Sequence, residues 1–102
     1  MGLLEVLGLK AKVNYKEIYE TGAIIIDVRT KGEFSNGSFK ESVNIPLDKI
    51  NDGINNIKSK NKPVITVCKS GIRSGQAVSV LKQNGIEADN GGSWTSLHSK
   101  LS

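Results

Sequence analysis

The sequence predicts an α/β domain with a mostly parallel central sheet covered by helices on both faces, a three-layer α/β/α arrangement. Two observations carry this expectation. The runs Ala23-Ile24-Ile25-Ile26-Asp27-Val28 and Pro63-Val64-Ile65-Thr66-Val67-Cys68 are rich in β-branched residues and lack polar alternation, the pattern of strands buried on both faces. Helical patterns lie between and after these runs, and strands that alternate with helices build parallel sheets. The chain has 102 residues, enough for one hydrophobic core without a metal or disulfide staple.

We divide the chain into a lead-in segment, residues 1–13, and a domain, residues 14–102. The lead-in run Leu3-Leu4-Glu5-Val6-Leu7-Gly8-Leu9 is short, interrupted by Glu5 and preceded by no basic residue, so it reads poorly as a signal peptide. Met1-Gly2 opens like a myristoylation site, but Val6 stands where that motif has Ser or Thr. No apolar run reaches the roughly 18 residues of a membrane span. The single cysteine rules out an intramolecular disulfide and suits a reducing compartment. A cytoplasmic protein without a membrane partner is the expectation.

Asn14 with Glu17 resembles a capping box, starting a helix that runs to about Glu20 and ends at Gly22. The first strand follows at 23–28. Residues 31–40 are polar and carry Gly32 and Gly37, which reads as loop with a possible helical turn. Val43-Asn44-Ile45-Pro46 reads as a short strand stopped by proline. Leu47, Ile50, Ile54 and Ile57 recur at helical spacing and define one buried helix face. The second strand spans 63–68. A turn at Ser70-Gly71 leads to a helix from about Ser74 to Asn84, closed by Gly85. Ile86-Glu87-Ala88 reads as a third strand, Gly91-Gly92 as a turn, and Ser93 as the cap of a last helix reaching about His98.

The formal charge is +4. All the basic residues except Arg29 and Arg73 are lysines, scattered along the chain and without interleaved aromatics. This argues against a nucleic-acid-binding surface and suits a mild field that favours small anionic substrates. One cysteine and one distant histidine, His98, cannot make a metal site. We read His98 as a surface residue.

Cys68 ends a buried strand where parallel sheets place their ligands. The segment Cys68-Lys69-Ser70-Gly71-Ile72-Arg73-Ser74 then turns tightly into a helix. Gly71 permits backbone conformations other residues resist. Inward N–H groups of such a loop, with the helix N-terminus behind them, form an anion cradle. Lys69 and Arg73 add formal positive charge. These features favour a thiolate, whose ordinary pKa near 8.5 falls in such surroundings, and the thiolate is the nucleophile. A lone cysteine at a strand end is otherwise a small core residue, but a core residue requires neither the glycine-bearing loop nor the flanking cations. Only Lys69, Ser70, Gly71 and Ile72 separate Cys68 from Arg73. Cysteine phosphatases use a loop one residue longer, so this cradle suits a sulfur atom on Cys68 better than a phosphoryl group.

These motifs resemble those of the single-domain rhodaneses over nearly the whole chain after Tyr15. Asp27-Val28-Arg29 with Glu33-Phe34, Gly37 through Pro46, the loop Cys68–Arg73, and Gly91-Gly92-Ser93-Trp94 follow in the family's order and at its separations. Ser38 and Glu41 depart from the family's usual histidine and glycine, in a structural turn. The resemblance implies the rhodanese-like α/β/α fold and a thiosulfate sulfurtransferase activity with no cofactor and no metal. Cys68 takes the outer sulfur of an anionic donor such as thiosulfate, becomes a persulfide, and passes the sulfur to cyanide, a thiol or a protein cysteine. Lys69, Ser70, Gly71, Ile72 and Arg73 bind substrate. Asp27, Arg29, Glu33 and Trp94 support the site. Asp27 ties the strand end to nearby N–H groups. Arg73 pairs with Glu33 or contacts substrate, and Trp94 walls the pocket or packs the core. The alternative is a persulfide carrier or interaction module acting on a partner protein, with little thiosulfate turnover.

Overall fold

A computed structural model of the chain describes residues 13–102; the readings made for residues 1–12 lie outside the described residues. The elements are α1 (Tyr15–Glu20), β1 (Ile24–Asp27), α2 (Lys31–Ser35), β2 (Val43–Asn44), a 3-10 turn (Leu47–Lys49), α3 (Ile50–Ser59), β3 (Val64–Cys68), α4 (Ile72–Gln83), β4 (Ala88–Ser93) and α5 (Trp94–Lys100). The sheet has the order β2-β1-β3-β4, and every pairing is parallel. Among the described residues no helix is long and apolar enough to cross a membrane.

Successive strand residues face opposite sides of a sheet, and here both sides are apolar. Ile26, Val28, Val64 and Cys68 pack with Ile50 and Ile57 of α3 and with Ala77 and Leu81 of α4. Ile25, Ile65 and Val67 pack with Leu97 of α5, and Tyr15 and Ile18 of α1 lie against them. Cys68 therefore projects toward the α3/α4 side, where α4 starts.

Several elements differ from the sequence reading. The helical turn read within residues 31–40 is the short helix α2, opened by a full capping box: Thr30 Oγ accepts from the Glu33 N–H, and Glu33 accepts from the Thr30 N–H. The strand read at 43–46 is only Val43–Asn44, because Pro46 leads directly into the 3-10 turn. The helix expected from Ser74 starts at Ile72, since Gly71 with φ of +99° hands the chain to the helix without a side-chain cap. Ile72 and Arg73 thus sit in its first turn.

The strand expected at 86–88 is β4, Ala88–Ser93, which runs through the glycine pair read as a turn. Gly91 is there because β3 comes too close for a side chain. An added Cβ would lie 2.8 Å from Ile65 Cγ2 and 2.9 Å from the Thr66 carbonyl oxygen. Gly92 takes φ of +78° where the β3–β4 register shifts between Thr66 and Cys68, as a bulge requires.

Gly91→Ala is therefore expected to lower the unfolding free energy by about 1–3 kcal/mol, the usual cost of overpacking, in urea unfolding. A loss below about 0.5 kcal/mol, the scale of an ordinary surface change, would show that the β3–β4 contact is not close-packed.

Candidate active site

The site begins at the end of β1. Asp27 and Arg29 are both buried and face each other. Arg29 Nε donates to Asp27 Oδ1 at 2.9 Å and Nη2 donates to Oδ2 at 2.7 Å. The Arg29 N–H also donates to Oδ1 at 3.0 Å, so Asp27 does hold a strand-end N–H, but its main partner is the Arg29 guanidinium. Arg29 Nη2 further donates to the Gly37 carbonyl at 2.7 Å, and Nη1 to the Glu33 carbonyl at 3.3 Å. Its guanidinium lies 4.6 Å from the centroid of the Trp94 ring, a cation–π arrangement. Asn44 closes the same corner from β2, donating to the Asp27 and Arg29 carbonyls at 3.0 Å each.

Trp94 faces the Arg29 guanidinium. It packs at the edge of the α1/α5 core and also lines an open cleft of about 480 Å³ with Arg29, Glu33, Lys69 and Ser93. Gly37 lies beneath it with φ of +143°, where an added Cβ would meet Trp94 at 3.2 Å. Of the two departures noted in the sequence, Glu41 accepts the Tyr19 hydroxyl and so links its turn to α1. His98 is exposed on α5.

From α2, Glu33 reaches across to α4. Its carboxylate takes both Arg73 branches, Nη1 at 2.8 Å and Nη2 at 3.0 Å. Arg73 is thereby held beside the loop with its fork occupied by Glu33. The Arg73 hydrogen bonds, then the Thr30 N–H, bring the Glu33 carboxyl down to about 2.

Cys68 is fully buried. Its Sγ accepts the Gly71 N–H at 2.9 Å and lies 3.3 Å from Ser74 Oγ. Burial pushes the thiol up, but the Ser74 hydroxyl and the N–H groups of Ser74, Gly71 and Ser70 outweigh it, so the thiol lies below its ordinary value. The sequence reading credits part of this lowering to Lys69 and Arg73. The structure places the hydroxyl and backbone dipoles directly on the sulfur, while Arg73, paired with Glu33, couples to Cys68 through its charge and Lys69 is exposed. Ser70 is exposed as well, and Ile72 is 71% exposed on the rim.

Two residues escaped the sequence reading. Ser74 follows the loop directly, in the first turn of α4. Asn90, on β4, receives the Ser74 hydroxyl at Oδ1 (2.7 Å) and donates from Nδ2 to the Gly71 carbonyl at 2.9 Å. Ser74 carries a weak signal, a hydroxyl in the first turn after a cysteine loop. Asn90 carries none, because its partners are distant in sequence.

A family model described as Rhodanese-like domain matches residues 11–95. The chain belongs to the rhodanese-like family. The Staphylococcus saprophyticus protein SSP1007 has a similar solved structure, with 31% identity, a TM-score of 0.69, and coverage of 86% of this chain and 93% of that one. The Bacillus subtilis protein YqhL is 40% identical over 63 residues, covering 62% of this chain and 49% of YqhL. A tRNA sulfurtransferase of Thermoplasma acidophilum is 28% identical over 82 residues, covering 80% of this chain and 16% of that protein. The chain thus spans half or less of the length of these two curated relatives. In this rhodanese-like chain the four motifs meet at one corner of the sheet.

The Glu33–Arg73 link makes a pH-dependent prediction. The folded-state pKa of Glu33 is lowered from 4.5 to about 2. A lowered carboxylate stabilises fully above its unfolded value, and that contribution is lost as pH falls through the folded value. Wild type is expected to melt above Glu33→Gln at neutral pH, with the gap closing between pH 4.5 and about 2. A gap that stays constant across this window in thermal unfolding would show that the carboxylate charge is not responsible.

Proposed function

We propose that this chain is a sulfurtransferase that moves a sulfane sulfur from a small anionic donor such as thiosulfate to a thiophilic acceptor, through a persulfide on Cys68. The observation that carries this reading is the convergence of the Gly71 N–H and the Ser74 hydroxyl on Cys68 Sγ, at the start of the twelve-residue helix α4. The rhodanese-like family and the sulfurtransferase among its relatives support it.

In the first step the Cys68 thiolate attacks the outer sulfur of thiosulfate. The new S–S bond forms as the old one breaks, and sulfite leaves with the electron pair. In the second step an acceptor thiolate or cyanide attacks the outer sulfur of the persulfide, and Cys68 leaves as thiolate. Both steps exchange sulfur between nucleophiles, so the chemistry needs neither cofactor nor metal. The small loop favours one sulfur over a phosphoryl group, which a longer cradle would suit. We assign Arg73 to bracing the loop, since Glu33 occupies its fork, and Lys69 to drawing the anionic donor from the exposed rim. A sole thiol kept reduced accords with a cytoplasmic setting.

A second reading is favoured by one observation. Ile72 is 71% exposed beside the loop, and an apolar residue on an open rim suits a protein acceptor. In that reading the chain carries a persulfide for a partner and turns over thiosulfate poorly.

Incubation with thiosulfate is expected to add one sulfur to the intact mass of the wild type and none to Cys68→Ser, which also loses thiosulfate:cyanide activity but keeps the fold. Substantial activity remaining in Cys68→Ser would sink the assignment. Wild type that accepts sulfur but turns over slowly would favour the carrier reading.

Lys69→Ala is expected to raise KM for thiosulfate about two- to fivefold at low salt, the scale of one exposed charge, with little change in stability. The effect should shrink at high salt. An unchanged KM at low salt would remove Lys69 from donor binding.

A further inference from the structure

The Ser74 hydroxyl has one proton and two acceptors in reach, Cys68 Sγ at 3.3 Å and Asn90 Oδ1 at 2.7 Å. The orientation of the Asn90 amide is settled by the backbone. Its Oδ1 accepts the Gly92 N–H at 2.9 Å and its Nδ2 donates to the Gly71 carbonyl at 2.9 Å; an N–H only donates and a carbonyl only accepts. Asn90 is itself tied to α1, whose Tyr15 hydroxyl donates to its carbonyl at 2.6 Å. Ser74 is buried and its backbone carbonyl accepts Thr66 Oγ1 at 2.9 Å. The hydroxyl therefore rotates on a fixed base between two fixed acceptors.

We propose that Ser74 is a catalytic residue whose hydroxyl turns between Asn90 and Cys68 with the charge on the sulfur, and that Asn90 is the positioning residue that supplies its resting acceptor. The proposal rests on the reading of Cys68 as the sulfur carrier. With a neutral thiol, S–H donates to Ser74 Oγ and the Ser74 hydroxyl donates to Asn90. When the proton leaves Sγ for solvent, the hydroxyl turns to the thiolate, and Asn90 Oδ1 keeps the Gly92 N–H, so no buried group loses its partner. When the outer sulfur of the donor is captured, charge moves from Sγ to that outer atom and the hydroxyl returns to Asn90. When an acceptor thiolate takes the outer sulfur, the S–S bond breaks, its electron pair falls back on Sγ, and the hydroxyl turns again to receive it. One residue thus serves Cys68 as nucleophile and as leaving group.

The charged groups around this cluster are accounted for on each packed element. Asp27 of β1 is paired with Arg29, and Glu33 of α2 with Arg73 of α4. Asp89 of β4 acts on Tyr15 of α1, and Lys100 of α5 donates to the Gly91 carbonyl at 2.7 Å. Lys69 in the loop and Asp48 and Lys49 of the 3-10 turn are exposed. The hydroxyl and N–H dipoles remain as the groups that touch the sulfur.

The test is the ultraviolet titration of the thiolate. Cys68 is the only cysteine, and Tyr15 and Tyr19 both ionise above their ordinary value, so the signal belongs to Cys68. Ser74→Ala is expected to raise the midpoint by about one pH unit, a roughly tenfold loss of thiolate below it, and to slow persulfide discharge to a thiol about tenfold or more. Ser74→Thr, which keeps the hydroxyl, should restore most of both. Ser74→Gly repeats the deletion should alanine fail to fold. Asn90→Asp offers the hydroxyl a charged competitor, so its midpoint rise should be larger with Ser74 present than in the Ser74→Ala background, a coupling that a merely structural role would not produce. An unchanged midpoint in the deletion variants, or additive shifts in this cycle, would overturn the proposal. Wild type that takes up no sulfur from thiosulfate would count against the sulfur-transfer reading, while the midpoints alone decide the hydroxyl switch.

Discussion

The buried pair of Asp27 and Arg29 is the constraint on which the site depends. Removing two charges from water is costly, and a buried pair holds only where its remaining donors and acceptors are satisfied. Here the guanidinium spends its other N–H groups on the Gly37 and Glu33 carbonyls and its face on Trp94. Each of these contacts fixes a different segment. Gly37 belongs to the stretch after α2, the Glu33 carbonyl to α2 itself, and Trp94 to the start of α5. A lysine has no planar fork to reach all three, which gives a physical reason for an arginine in a chain otherwise supplied with lysines.

From that corner a second ionic link extends to the loop. Arg29 holds α2, α2 presents Glu33, and Glu33 holds Arg73 in the first turn of α4. Both arginines are thus matched to carboxylates, and Arg73 reaches Cys68 through its charge rather than by a hydrogen bond. What faces the sulfur is dipolar: the N–H groups of the loop, the start of α4 and the Ser74 hydroxyl. Close dipoles are fixed by the fold and are screened less by salt than distant exposed charges. The exposed Lys69 acts at longer range, where screening is strong.

Much of this was legible in the sequence because it rests on local pattern. The β-branched runs at β1 and β3 and the 50-54-57 spacing of α3 announce themselves, since burial on two faces leaves an unbroken apolar run and burial on one leaves a helical repeat; Leu47, read on the same face, falls in the 3-10 turn before it. The errors lie where tertiary packing overrode a local signal. Gly91-Gly92 has the composition of a turn, but Gly91 is demanded by the nearness of Ile65 and Thr66. The helical turn read within 31–40 is present as α2, although its Thr30–Glu33 capping box went unread among Gly32 and the surrounding polar residues. Ser74 has the chemistry of a cap and was read as the helix start, whereas Gly71 enters the helix directly. Asn90 was invisible because its bonds to Gly71 and Ser74 span 19 and 16 residues, and no periodicity encodes such pairs.

A sulfur carrier sets a demand that a simple nucleophile does not. The same atom must bear charge before sulfur is captured, give it up to the outer sulfur, and take it back on release. A formal cation against Sγ would favour the charged thiolate strongly and would oppose the transfer of charge outward. A set of N–H groups converging on a small volume can serve the inner and the outer sulfur in turn, and a rotating hydroxyl adds a donor only while Sγ holds charge. The pairing of Arg73 with Glu33 is then more than a brace. It keeps a full positive charge from dominating the loop, as the sulfur transfer proposed for Cys68 requires.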